Sequence, residues 1–234
     1  MTRMDTQAET KVRNEFDQWA EAGLGEEMED HHLPITEPVL PMMDLKSDDR
    51  ILDLGCGSGW LCRRIVRLVP EGRVVGMDIS AEMLRRAQAA GREYGNLNFM
   101  EGAADRIPCD NGSFSKIISV ESAYYWQDPV ASVREMFRVL GAGGNAWILI
   151  NYYVENPYSH QWGPVVNIPT HLLSTAQWVS FYRDAGFANV EHRQIPDPTP
   201  VPDNYSGRWF RDAEQMRKFH QVGALLVHGT KPGA

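Results

Sequence analysis

The sequence predicts an α/β fold: a doubly wound, mostly parallel sheet of seven strands, preceded by an N-terminal helical cap. Three observations carry that expectation. From Arg50 onward, short apolar runs alternate with amphipathic segments, the pattern of strand and helix units in a parallel sheet. The first apolar run opens directly into a turn holding Gly55, Gly57 and Gly59. Helix-start signals then recur where helices should follow strands: Ser80, Asp128 before Pro129, and Ser174 with Gln177 three places on.

Residues 1–48 read as the cap. The stretch is polar and helical through Lys46, with an interruption at residues 23–25. Val12, Phe16 and Trp19 fall at spacings of four and three and so form one apolar stripe. A second short helix is expected over residues 35–45. Residues 49–234 then form one domain. The first strand is expected at 51–54, a helix at 61–69, and the second strand at 74–77. Ser80 caps a helix running to about Tyr94, and the third and fourth strands are expected at 97–100 and 116–120. The helix begun at Asp128 buries Val130, Val133, Phe137 and Leu140 and is expected to end at Gly141, Gly143 and Gly144, ahead of a fifth strand at 146–150. The Ser174 helix closes at Gly186, and residues 190–195 and 224–229 supply the last two strands. Insertions at about 151–173 and 196–221 interrupt the pattern. In the second, Pro196, Pro198, Pro200 and Pro202 cannot donate backbone hydrogen bonds, so the segment is extended without being a central strand. A lid is expected around residues 209–220.

Composition excludes several functions. The chain has 234 residues, 43% hydrophobic and 23% charged, enough for one generous soluble domain. A net charge of −8 disfavours nucleic acid, because partners held through phosphates call for a basic surplus. Arg63, Arg64 and Arg67 on one expected helix, and Arg85, Arg86 and Arg92 on another, read as solvated faces. Three cysteines, Cys56, Cys62 and Cys109, give neither a disulfide framework nor a zinc pattern. His31 and His32 are neighbours and do not share a helix face, so no metal is expected. No run approaches the roughly 18 to 20 apolar residues that cross a bilayer, and acids stand where a signal peptide would carry its apolar core; a cytoplasmic protein is expected, away from membranes.

Chemistry concentrates at residues 51–60, ILDLGCGSGW. A buried strand runs into a glycine turn that lets a ligand touch backbone, and a helix N-terminus follows. The spacing is G-x-G-x-G; the dinucleotide fingerprint G-x-G-x-x-G would put its last glycine where Trp60 stands, which weighs against a nicotinamide or flavin enzyme. Asp78 follows the second strand, where an acid accepts hydrogen bonds from both ribose hydroxyls. Its plainer reading is an ordinary turn or N-cap aspartate.

These residues resemble the class I S-adenosylmethionine-dependent methyltransferases, in particular the small-molecule branch of ubiquinone- and sterol-type enzymes, over residues 50–186. The resemblance implies a Rossmann-like methyltransferase fold, S-adenosyl-L-methionine as cofactor and S-adenosyl-L-homocysteine as product. It implies that Asp53, Gly55, Gly57 and Gly59 hold the methionine part of the cofactor, with Cys56 a small filler of the turn, and that Asp78 holds the ribose. Ile79 is expected against the adenine. The family's G-D-A-x-x-L-P run is here Gly102-Ala103-Ala104-Asp105-Arg106-Ile107-Pro108. Ala103 replaces the usual acid, so adenine recognition falls to the backbone of Ala104 or to a shifted Asp105.

Residues 113–129 resemble the family's fourth strand and following loop, which sets Val120, Glu121, Ser122 and Tyr125 beside cofactor and acceptor. Many relatives carry histidine near Tyr125; its absence leaves the general base open. Glu121 and Tyr125 are the catalytic candidates. Glu121 either offsets the sulfonium charge, accepts a proton, or is a structural glutamate. Tyr124, Trp126, Tyr152, Tyr153, Tyr158 and Trp162 either wall an apolar or cationic acceptor pocket or are core under long loops. His160 and His171 are further candidate bases.

The expected function is methyl transfer to a small-molecule acceptor by in-line displacement. Two alternatives stay open: a methyltransferase of protein or RNA with an activating partner subunit, and a non-catalytic cofactor-binding module. A homodimer is compatible with either.

Overall fold

The computed structural model describes residues 7–166 and 168–233. The first six residues of the expected cap, Asn167 and Ala234 lie outside the described residues.

Two helices open the described chain, α1 (Gln7–Glu21) and α2 (Leu24–Thr36), joined at Gly23, whose φ of 78° turns the backbone between them. The second helix therefore starts well before the expected Ile35. Residues 35–45 supply only its end and a short 3-10 turn, Leu40–Met43, that begins beside Pro41.

The sheet then builds in sequence: β1 (Arg50–Leu54), α3 (Trp60–Ile65), β2 (Arg73–Asp78), α4 (Ala81–Gly91), β3 (Leu97–Glu101), β4 (Phe114–Val120), α5 (Pro129–Val139) and β5 (Leu140–Ile150). Helix α3 stops short of the expected Val69. The C-terminal part adds α6 (Trp162–Val165), α7 (Thr175–Ala185), β6 (Ala188–Ile195), α8 (Ala213–Val222) and β7 (Ala224–Thr230). Strand order is β3-β2-β1-β4-β5-β7-β6. The first five strands run parallel, and β7 runs antiparallel to both β5 and β6.

Local chemistry explains the helix starts. Ser80 accepts from the Met83 amide, Asp128 from Ala131 with Pro129 at the first helical position, and Asp212 from Gln215. Ser174 and Gln177 form the full reciprocal capping box. The glycines at 141–144 behave differently from expectation. Helix α5 ends at Val139, and Leu140, already extended, begins the strand that contains those glycines. They sit where β5 meets the C-terminal edge, with the Gly143 amide donating to Lys231 O and the Lys231 amide to Gly144 O.

Alternate residues of each central strand face opposite layers. Leu52 and Leu54 join one core with Val133, Met136 and Trp178; Ile51 joins the other with Leu61, Ile65 and Met43. The carboxyl ends of β1, β2, β4 and β5 thus open onto one edge, and the segment between β6 and β7 begins and ends at that edge, because Ile195 pairs with Ala224 there.

Candidate active site

A cavity of about 810 Å³ lies over that edge, roofed by α1 and α2 on one side and by residues 197–220 on the other. Its floor is the glycine turn. Gly55 holds φ 81°, and a Cβ there would fall 2.1 Å from Ser122 Oγ, so only glycine fits. Gly57 holds φ 52°, and a Cβ there would meet only Met28 Sδ, at 4.0 Å. The amides of Gly55 and Cys56 both donate to Met77 O, which seats the turn on the end of β2.

Asp78 stands beside this turn with little solvent exposure. Its Oδ2 accepts from the Gly57 amide at 2.8 Å and its Oδ1 from the Ser80 amide at 2.9 Å. Burial raises its pKa, and these backbone donors oppose that rise. A carboxylate offers about four acceptor directions, which the backbone amides of Gly57, Ile79 and Ser80 do not exhaust.

The cap is bonded to this machinery. Arg13 Nε donates to Ile79 O at 3.0 Å, Ser80 Oγ to Asp17 Oδ1 at 2.6 Å, and Ser58 Oγ to Gly25 O at 2.8 Å. Phe16 meets Tyr125 edge-on at 5.1 Å between ring centres. Val12, Phe16 and Trp19 pack in one cluster with Ile79, Tyr125 and Trp209, so the stripe read from the sequence is the cavity's ceiling.

Of the residues singled out from the sequence, Gly55, Cys56 and Gly57, Asp78 and Ile79, Ala104 and Asp105, and Val120, Glu121 and Tyr125 all line the cavity. Asp53 and Gly59 do not. Asp53 lies under the turn, where its Oδ2 accepts from the Cys62 thiol at 3.1 Å; burial pushes its pKa up to about 7, with Cys62 opposing and Asp78 adding to the rise. Gly59, at φ 73°, starts α3 against Phe99. Asp105 borders the cavity beside Arg106, 3.0 Å away, and Arg106 is in turn bonded to Glu9 of α1.

Glu121 is buried in the left-handed region at φ 54°. Both its oxygens are engaged: Oε1 accepts from the Asn151 amide at 2.6 Å and Oε2 from the Tyr124 hydroxyl at 3.0 Å. Burial lifts its pKa to about 7 despite those donors. The carboxylate ties the end of β4 to the end of β5 while facing the cavity. His171 also lines the cavity, whereas His160 turns its Nε2 to Val154 O at 3.0 Å outside it. Trp162, Tyr124, Trp126 and Tyr152 line the wall; Tyr153 and Tyr158 do not.

Sequence reasoning missed Met28 and Glu27 on α2 and Asp197 and Thr199 on the wall, whereas Phe219 and His220 fall within the lid expected around residues 209–220. The glycine cradle, the acceptor-rich carboxylate and the apolar shelf at Ile79 match an adenosyl amino acid in the chemistry each part demands.

The chain belongs to the class I S-adenosylmethionine-dependent methyltransferases. A family model described as a methyltransferase domain matches residues 51–144. The chain named as a methyltransferase in the solved complex with the Haloferax volcanii Trm112 methyltransferase activator is 32% identical, with a TM-score of 0.86, covering 93% of this chain and 97% of that one. The chloroplastic 2-methyl-6-phytyl-1,4-hydroquinone methyltransferase of Arabidopsis thaliana is 26% identical over 85% of this chain and 54% of that protein. This chain spans about half the length of the curated relatives it first matches. The cyclase SpnF shares the fold at a TM-score of 0.66 and 19% identity, covering 85% of this chain and 80% of its own; the fold alone therefore does not name a reaction.

Proposed function

We propose that this protein transfers the methyl group of S-adenosylmethionine to a small-molecule acceptor. The observation that carries the reading is continuity: one cavity of about 810 Å³ joins the glycine turn and Asp78 to a chamber walled by Trp162, Trp209, Phe210 and Phe219. That volume lies within the range of small-molecule sites and leaves room beside a cofactor.

When bound, the cofactor supplies an activated methyl on a sulfonium. The chain's own residues hold and enclose. The backbone of Gly55 and Gly57 takes the amino-acid end, Asp78 the ribose, Ile79 one face of the adenine, and Ala104 with Asp105 its edge. Glu121 and the ring of Tyr125 border the space beyond Val120, where Glu121 contributes negative charge above about pH 7 and Tyr125, packed on Phe16, excludes water. Orientation of nucleophile, carbon and sulfur in line is the main catalytic demand. A small-molecule acceptor held among Trp162, Trp209, Phe210 and Phe219 would face the cofactor's methyl past Val120, with Glu121 and Tyr125 beside it.

Calorimetry with S-adenosylmethionine, S-adenosylhomocysteine and NAD tests the reading. Micromolar binding of the adenosyl pair and none of NAD is expected; NAD binding alone overturns it. A second reading has one finding in its favour: the Haloferax volcanii relative is held in complex with a Trm112 methyltransferase activator. In that reading the chain methylates protein or RNA with a similar partner, and co-expression with a Trm112-type protein followed by gel filtration decides it by whether the two co-elute.

A further inference from the structure

The acceptor half of the cavity has a polar end that the mechanism above leaves unused. His220, on the last turn of α8, is buried, and its Nδ1 lies 3.0 Å from the carbonyl oxygen of Thr199. A carbonyl only accepts, so Nδ1 donates to Thr199 O, and in the neutral form of the ring Nε2 keeps the lone pair. Nε2 stands 3.6 Å from Asp197 Oδ2, a gap too long for a direct hydrogen bond. Asp197 and His220 both line the cavity, as do the rings around them. Trp162 is the hub of those rings, with centres 5.9 Å from Trp209, 5.8 Å from Phe210 and 5.0 Å from Phe219.

The charges of the wall point the same way. Glu27, Asp30 and Asp197 line the cavity against Arg208 as its one lining Lys or Arg among the described residues, and Arg208 stacks on Trp209 at 4.4 Å. An anionic acceptor meets a negative field here; a neutral or cationic one does not.

We propose that His220 and Asp197 form a head-group subsite, in which two acceptors 3.6 Å apart take a proton-donating group, a hydroxyl or an amine, on an aromatic or apolar body held among the tryptophan and phenylalanine rings. This deepens the small-molecule reading and rests on it. The acceptor class is then a phenol-like or amine-bearing ring compound without a carboxylate or phosphate. The pair is a binding element for the acceptor, and its partners, Asp197 on the extended segment and His220 on α8, also fasten the lid, since the Asp197 amide donates to His220 O at 3.0 Å.

Four probes sharing one body separate the possibilities: 4-propylphenol, 4-propylaniline, propylbenzene and 4-propylbenzoate, each titrated by calorimetry into protein saturated with S-adenosylhomocysteine. The phenol and the aniline are expected to bind about 5- to 10-fold tighter than propylbenzene, the gain of one well-made hydrogen bond, and the benzoate weakest. Their relative affinity tells hydroxyl from amine. His220→Phe should erase the head-group preference, and His220→Gln, whose amide oxygen still accepts, should keep most of it. The Nε2 nitrogen resonance of His220 in labelled protein should move with the phenol and stay put with propylbenzene, a response that lid packing alone does not give. Equal binding of all four, tightest binding of the benzoate, or binding of none overturns the subsite. Failure of S-adenosylhomocysteine to bind at the outset would instead overturn the functional reading beneath it.

Discussion

The Gly57 amide donates to Asp78 Oδ2 across 2.8 Å, joining the glycine turn after β1 to the acid that ends β2 before any ligand arrives. The two sequence features are thereby one preorganised unit. Asp78→Asn replaces an acceptor-only carboxylate by an amide that can satisfy Gly57 or Ser80 but not both in the same way. Affinity for S-adenosylhomocysteine is expected to fall about 10- to 100-fold, the weight of one or two charge-assisted hydrogen bonds. Calorimetry measures it, and unchanged affinity removes Asp78 from the site.

Gly55 bears two constraints at once, its φ of 81° and the nearness of Ser122. Gly55→Ala is expected to cost about 3 kcal/mol of stability, part from the left-handed backbone and part from overlap. Urea unfolding of Gly55→Ala with and without Ser122→Gly separates the parts. The second change should recover the overlap portion only; full recovery would show that the backbone conformation costs nothing here.

Glu121 makes stability depend on pH. Its folded-state pKa of about 7 lies above its ordinary 4.5, so the native state holds an extra proton between those values. Stability from this group is therefore full below about pH 4.5, declines as pH rises toward about 7, and stays lower beyond. Glu121→Gln should raise the melting temperature at pH 8 relative to the parent and leave it little changed at pH 5. Asp53, raised in the same direction, keeps its own slope in both proteins. An equal shift at the two pH values would contradict the assignment.

The cap's bonds to the ribose loop set how long a ligand stays. Asp17→Ala removes the carboxylate to which Ser80 Oγ donates at 2.6 Å and loosens α1 over Ile79. Stopped-flow fluorescence should show S-adenosylhomocysteine dissociating about 3- to 10-fold faster, because only part of the weight of that charge-assisted hydrogen bond falls on the ligand.

Ser174→Ala supplies a contrast remote from the cavity floor. Losing the capping box should cost about 1 kcal/mol in urea unfolding while cofactor affinity holds steady. A drop in affinity would mean that α7 is coupled to the site.

How far the site is legible from residues alone follows from what each feature depends on. The glycine turn, the acid that ends β2 and the helix caps are short-range: a few neighbouring dihedrals and hydrogen bonds make them, so spacing reveals them. The 141–144 glycines show the converse. Read locally they stop a helix, but pairing with Lys231, far along the chain, draws them into β5. The same holds for Asp53, which spacing sets beside Gly55 and strand alternation turns down toward Cys62.

The sequence by itself determined the strand, turn and helix that begin the sheet, the carboxylate one strand over, and the apolar stripe of α1, because each is written in residues a turn or a strand apart. Only the tertiary structure decided that this stripe becomes a ceiling, that both oxygens of Glu121 are spent on Asn151 and Tyr124, and that His220 meets Asp197 at the far end of the cavity. Those pairings join elements distant in the chain, and the register of β7 and the packing of the cap, which no local periodicity encodes, bring them together.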